Sequence, residues 1–334
     1  GLGPRSTRWF PAGLTGAGGS VLGIALTNND VVGRLSLLAQ GALGFGDAWR
    51  GAAVQTAWRG TRPTVRADVF LAREGVPAGF PPAILPGSDL RGLSIRADFA
   101  HALDLAQIDG GFGGSIARLS PFGGTAGASA PAPGRRRRDL AFATLGTSAR
   151  QGSGGATLTE GLKLAATLGR TGRAVTPERY ERMLVHGAVS LGGAAPLPLD
   201  AEATYGRVSA SAPVFERFAV GGPASSLVDP SLLSQRVVMP ALPAGVATGE
   251  RLLAYRMAAP MGAFSPFYWG ASVRDGSGRF ARWHRVAGLE ASFQISPLFV
   301  IGTPGARARI GIARSLDAPF ARRTRGYAAL VLTP

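Results

Sequence analysis

The chain has 334 residues, of which 46% are apolar and only 17% charged, so it is long enough for one large or two ordinary domains and too apolar for a disordered chain. Its 36 basic and 20 acidic residues leave a formal charge of +16, almost all of it arginine, since Lys163 is the only lysine. The absence of cysteine excludes disulfide staples and thiolate metal sites, and the scatter of the arginines, outside Arg135 to Arg138, argues against a nucleic-acid partner.

Taken in order, the candidate strands are 20–28, 32–44, 51–60, 63–73, 91–101, 105–118, 138–149, 155–169, 183–192, 197–209, 247–258, 263–274, 282–296, 305–315 and 323–333. Their dominant period is two, which gives each strand one apolar and one polar face. Leu35, Leu37 and Ala39 oppose Arg34, Ser36, Leu38 and Gln40. Val65, Ala67, Val69 and Leu71 oppose Arg66 and Asp68, and Leu93, Ile95, Ala97 and Phe99 oppose Ser94, Arg96 and Asp98. Near the end, Leu289, Ala291 and Phe293 oppose Glu290 and Ser292, while Ala306, Ala308, Ile310 and Ile312 oppose Arg307 and Arg309. The apolar-Arg-Ala-Asp-apolar pattern occurs twice, at 65–69 and 95–99, so strands lining one interior would pair their charges across it. Residues 176–183 have room for a single helical turn.

Turn signals punctuate these strands at Asn28-Asn29-Asp30, Arg62-Pro63 and Asp275-Gly276-Ser277-Gly278. Short turns alternate with longer loops at 74–90, 119–137 and 170–181. Gly110-Gly111-Phe112-Gly113-Gly114 lacks the lysine and helix of a phosphate loop and reads as a bend or bulge. One interruption is different in kind. From Phe215 to Met257 the alternation stops for about thirty residues, too long for a hairpin turn, and then resumes.

Two-faced strands suit either a soluble β-sandwich or a membrane barrel. The barrel fits better. The strands exceed the usual 5–6 residues and approach the roughly 9–11 that a tilted membrane strand needs. Charges sit mid-strand on the polar face. Aromatic residues collect near strand ends: Trp9, Phe10, Phe45, Trp49, Trp58, Phe264, Phe267, Tyr268, Trp269 and Trp283. No run of about 18 apolar residues exists for a membrane helix; 183–201 comes nearest and holds His186 and several Gly and Pro. Gly1 is not a start residue, so the chain reads as a mature or trimmed product.

The segment Phe218-Ala219-Val220-Gly221-Gly222, with Pro240 to Gly245 and then Gly249 to Tyr255, resembles the outer-membrane surface-antigen barrels related to BamA, TamA and the two-partner-secretion transporters. Arg314 to Phe320 followed by Arg325 to Leu332 is similar to their last hairpin, and residues 29–37 and 58–63 are similar to the start of such barrels fused behind periplasmic propeller domains. The resemblance implies a strand ending in apolar-Gly-Gly, a long loop folded back into the lumen, and a last strand closing on the first. It also implies protein insertion or translocation, or anchoring of a periplasmic partner. The family's Arg-Gly-aromatic loop tip is missing: Pro223-Ala224-Ser225-Ser226-Leu227 stands after Gly222.

The expectation is therefore an all-β, transmembrane antiparallel β-barrel of about sixteen strands, one of them missed above since single-chain bacterial barrels are even-numbered. Residues 1–334 form one outer-membrane domain, with a loop at about 219–246 that enters the lumen. Phe218, Gly221, Gly222, Ser225 and Ser226 are the loop candidates. Arg66, Asp68, Arg96, Asp98, Glu250, Glu290, Arg307 and Arg309 are the lumen-lining charges, either an anion-favouring ring or a neutralised set. His101, His186 and His284 have no metal-site spacing, and no catalytic motif, metal or cofactor is expected. Arg135 to Arg138 either meets anionic head groups or ends a solvated loop. Expected partners are outer-membrane lipid, other protein subunits or a periplasmic domain. A passive anion-favouring pore and a soluble sandwich module stand as alternatives.

Overall fold

The computed structural model describes residues 5–16, 19–30, 34–45, 50–74, 87–102, 106–122, 134–151, 156–172, 178–193, 198–212, 216–222, 236–242, 246–274, 276, 280, 282–294, 306–317 and 324–332. The first eleven strands are β1 (Arg5–Gly16), β2 (Gly19–Asp30), β3 (Leu35–Phe45), β4 (Arg50–Trp58), β5 (Thr64–Glu74), β6 (Gly87–Ala102), β7 (Ala106–Phe122), β8 (Gly134–Gln151), β9 (Ala156–Gly172), β10 (Glu178–Gly193) and β11 (Leu199–Val208). Three short strands follow: β12 (Phe218–Val220), β13 (Arg236–Val237) and β14 (Ala247–Gly249). The last five are β15 (Arg251–Ala258), β16 (Phe264–Arg274), β17 (His284–Gln294), β18 (Ala306–Ser315) and β19 (Thr324–Leu332).

Sixteen of these close into one barrel in which β11 pairs directly with β15, and β12 to β14 form a separate three-stranded sheet. Every barrel seam is antiparallel. The seams differ in extent. Among the described residues β1 and β19 pair only at Leu14↔Ala329 and Thr15↔Ala328, whereas β10 and β11 run in register from Arg182↔Val208 to Leu191↔Leu199.

The register shows why alternation produces a barrel and not a sandwich. Leu43 is 68% exposed, Val69 61% and Ile312 57%, on the faces turned away from the interior. In water each such side chain forgoes about 1.5–3 kcal/mol of burial. A band of them around the whole wall is stable only against lipid, which removes the soluble-sandwich alternative.

Several local expectations change. The strand missing from the sequence reading is β1, whose Pro11, Gly13 and adjacent Trp9 and Phe10 spoil the period. Residues 178–183 extend a strand and not a helical turn. Arg135 to Arg138 are among the first residues of β8, next to the 123–133 connection. Gly110 to Gly114 make no bulge, since β7 keeps unbroken register with both neighbours. Gly111 leaves room for a ring: a Cβ there would lie 2.7 Å from Cε1 of Phe142.

Candidate functional site

The long interruption folds back against the barrel's inner wall. β12 pairs antiparallel with β14 and parallel with β13. Phe218, Ala219 and Val220 are almost wholly buried. The apolar-Gly-Gly motif has a backbone reason: Gly221 has φ 101° and Gly222 φ 71°, both in the left-handed region that favours glycine. Their amides donate to Val237 O at 2.8 Å and Leu242 O at 2.9 Å, which ties β12 to the returning chain.

The insert packs on small inward residues. Phe218 lies over Gly206 of β11, where an added Cβ would be 2.4 Å from its Cζ. Gly249 of β14 lies against the Arg274 backbone of β16, with an added Cβ 2.7 Å from the amide nitrogen. Val220, Met239 and Leu242 join Leu252, Ala254, Ala271, Val286 and Ala313 in one buried cluster. The exit is held too. Val208 N donates to Glu250 O at 2.8 Å, Ser209 N to Glu181 O at 2.9 Å, and Ser211 Oγ to Arg179 O at 2.9 Å.

Polar pairs border this cluster. Arg256 donates to Glu202 at 3.2 Å and its guanidinium carbon stands 5.6 Å above the Trp269 ring. Tyr327 donates its hydroxyl hydrogen to Glu290 at 2.9 Å, and Arg309 Nε is 3.9 Å from the same carboxylate. Glu250 stands at the turn into β15, 3.5 Å from Arg217, and accepts from Gly276 N at 3.0 Å. Phe267 and Trp269, read from sequence as rim aromatics, instead pack on the inner cluster. Tyr255, Tyr268 and Trp283 make the outer aromatic group, with ring centroids 5.6–5.9 Å apart. Phe264 and Trp58 are exposed as well, and the side chains of Trp9, Phe10, Phe45 and Trp49 lie outside the described residues.

The wall formed by β5 to β8 is different. Arg66 and Arg96 are cross-strand partners, and Asp98 is 2.8 Å from the Nε of each. Asp68 accepts from Ser94 at 2.9 Å. Arg96 also stands 5.6 Å from the centroid of Phe142. These side chains are half-buried, with Arg66 36% exposed. His186 shares a hydrogen-bond contact of 2.9 Å with Thr204. His284 is buried at the start of β17, and His101 is exposed. Ser225 and Ser226 lie outside the described residues, as does the Arg307 side chain, whose backbone pairs with Gln294.

At the rim near the insert, Asp317 accepts from Arg285 N at 2.7 Å and from Arg285 Nε at 3.0 Å. Burial pushes its carboxyl up, but the hydrogen bonds and charge of Arg285 outweigh this and hold it below the usual carboxylate value. One wall is therefore packed under the insert, and another carries a linked set of partly exposed charges.

The inward contacts of the insert carry a signal that alternation alone misses. Leu252-Leu253-Ala254-Tyr255 and Phe267-Tyr268-Trp269 are apolar on both faces, as expected of strands covered on both sides.

No protein-family model and no curated protein matches the sequence. Solved structures do. BamA from Haemophilus ducreyi lacking POTRA domains 1–3 is 11% identical with a TM-score of 0.64, over 98% of this chain and 70% of that one. CdiB from Acinetobacter baumannii is 11% identical with a TM-score of 0.53, over 98% of this chain and 59% of that one. OccK11 (OpdR) of Pseudomonas aeruginosa is 14% identical with a TM-score of 0.41. The chain spans less than two thirds of CdiB. At these identities the likeness is one of fold, and the fold is that of a bacterial outer-membrane β-barrel.

Proposed function

We propose that the chain is a surface-antigen-type outer-membrane barrel that acts in protein insertion or translocation, with the inserted sheet closing much of the lumen at rest. The observation that carries this reading is the insert itself, which lies between the eleventh and twelfth barrel strands and is seated on the inner faces of β11 and β15 to β18. A passive pore gains nothing from Phe218, Val220, Met239 and Leu242 fully buried against its wall. The β1–β19 seam supports the reading. Each ladder hydrogen bond contributes about 0.5–1.5 kcal/mol net, so a seam of two residue pairs is the least costly place for the wall to part.

Planar-bilayer recording of the purified protein tests the closed state. Brief, rare openings are expected; steady, large, anion-selective currents would instead establish the passive pore. The transport role is tested with Leu14→Cys and Ala329→Cys in a chain that has no native cysteine. Oxidation of that pair should stop client folding in proteoliposomes, and reduction should restore it. Equal client folding in both states, or none in either, would leave anchoring of a periplasmic partner as the barrel's role.

A further inference from the structure

The register gathers arginine positions at one end of the barrel, the end that carries the insert, where the side chains of Arg91, Arg118, Arg137, Arg179 and Arg207 are exposed. Arg91 of β6 stands opposite Arg118 of β7, which in turn stands opposite Arg135 of β8. Arg170 of β9 is paired with Arg137 on one side and Arg179 on the other. Arg251 of β15 is paired with Arg207 and with Arg274. These are cross-strand neighbours, a placement that is destabilising for like charges. Three such ladders at one end are not a scatter of single arginines, and only the register reveals them.

The arginines also stand at the boundary of the apolar band. Arg91, Arg118 and Arg314 each lie two residues beyond an exposed apolar side chain on the same face: Leu93, Ile116 and Ile312. Two residues of strand are about 6.6 Å, and the arginine stem spans that step while the guanidinium reaches the head-group layer. Acidic residues offset part of the charge: Asp139 pairs with Arg137, Asp317 with Arg285, and Asp89 and Glu181 lie on the same rim. Arg91, Arg118, Arg179, Arg207 and Arg251 have no carboxylate partner among the described residues. At the opposite end, outward side chains such as Val65, Phe99, Ile108, Val189, Leu199 and Met257 are apolar, and the described outward positions bring no two arginines opposite one another.

From this geometry we infer that the insert end is the cell-surface end and that its arginine belt binds the phosphate groups of a phosphorylated glycolipid in the outer leaflet. Phosphate supplies a counter-charge for Arg91, Arg118, Arg179, Arg207 and Arg251, and guanidinium pairs hold it with two parallel hydrogen bonds. The two longest connections, 75–86 and 209–250, also lie at this end, with 123–133 beside them and one of equal length to the last, 295–305, at the other end. The inference is independent of whether the barrel transports protein.

The test is binding of diphosphoryl lipid A by the detergent-solubilised full chain, compared with the same lipid after removal of its phosphates. Wild type should bind the phosphorylated form at least about tenfold more tightly, and more weakly as salt rises. The variant R91Q/R118Q/R207Q/R251Q should lose most of that preference. The lumenal variant R66Q/R96Q, with the same kind of charge removed, should retain it. Heat-modifiable migration of each variant verifies that the barrel has folded. Should the quadruple variant not fold, the pairs R91Q/R118Q and R207Q/R251Q are measured separately. Equal binding of both lipid forms, an unaltered preference in folded belt variants, or an equal loss in the lumenal variant would overturn the inference. Competition by inorganic phosphate alone at the lipid's own concentration would overturn it too.

Discussion

The lumen wall has two halves built by the same alternation and used in opposite ways. On β11 and β15 to β18 the inward positions under the insert are Gly206, Leu252, Ala254, Ala271 and Val286, small or apolar and buried, while Glu202, Arg256, Glu290 and Arg309 line the same strands farther from it. On β5 and β6 they include Arg66, Arg96 and Asp98, half-buried and linked to one another, and Asp68, bonded to Ser94, beside the buried Phe70 and Leu90. A two-residue period fixes only that one face looks inward. What that face meets, a packed insert or a wet space, decides whether its side chains are apolar or charged. In the function proposed above, the packed half closes the lumen and the charged half sets the electrostatics of what remains open.

The largest expected break is at Phe218. Its fully buried ring fills the space over Gly206, and Phe218→Ala should cost about 3–5 kcal/mol of insert stability. Faster hydrogen exchange in β12 to β14, with the barrel's heat-modifiable migration retained, measures it. Gly206→Val attacks the same contact from the wall and should cost about 1–3 kcal/mol by overpacking. Gly221→Val forces a β-branched residue to φ 101°, a strain of about 1–3 kcal/mol that should release β12 while sparing β5 and β6. Asp98→Asn works on the other half. It leaves Arg66 and Arg96 without their shared carboxylate and should cost at most about 1 kcal/mol, since the pairs are partly exposed. In the Phe218→Ala background it should shift reversal potentials toward anion selectivity.

The smallest effect is at the rim. Because the Asp317 carboxyl is held below its ordinary value, the Arg285 contact stabilises the folded state above that ordinary value. The contribution is lost as pH falls through the folded value. Hydrogen exchange at 284–285 and 315–317 should therefore rise in acid, and Asp317→Asn should abolish that acid-specific rise.

Much of the fold was legible because lipid-facing strands must alternate, and Leu35 to Ala39 or Ile310 to Ile312 show it plainly. β1 was hidden by Pro11 and its glycines. The Gly221-Gly222 motif was visible for a physical reason, its positive φ angles. The extent of the insert's seat was not, although Leu252-Leu253 and Phe267 to Trp269, apolar on both faces, carried the signal. The arginine ladders and the short β1–β19 seam were beyond reach, since both are properties of register between strands and not of any one strand.

The central claim is that the insert packs against one half of the wall and leaves the other half accessible. With no native cysteine, single substitutions report on it directly. Met239→Cys and Gln55→Cys place thiols in the insert and on the inward face of β4, and labelling with a charged maleimide is followed in the folded, detergent-solubilised protein. The account predicts rapid labelling at Gln55→Cys and protection at Met239→Cys, lifted by Phe218→Ala. Equal rapid labelling of both positions in the otherwise wild-type chain would contradict it.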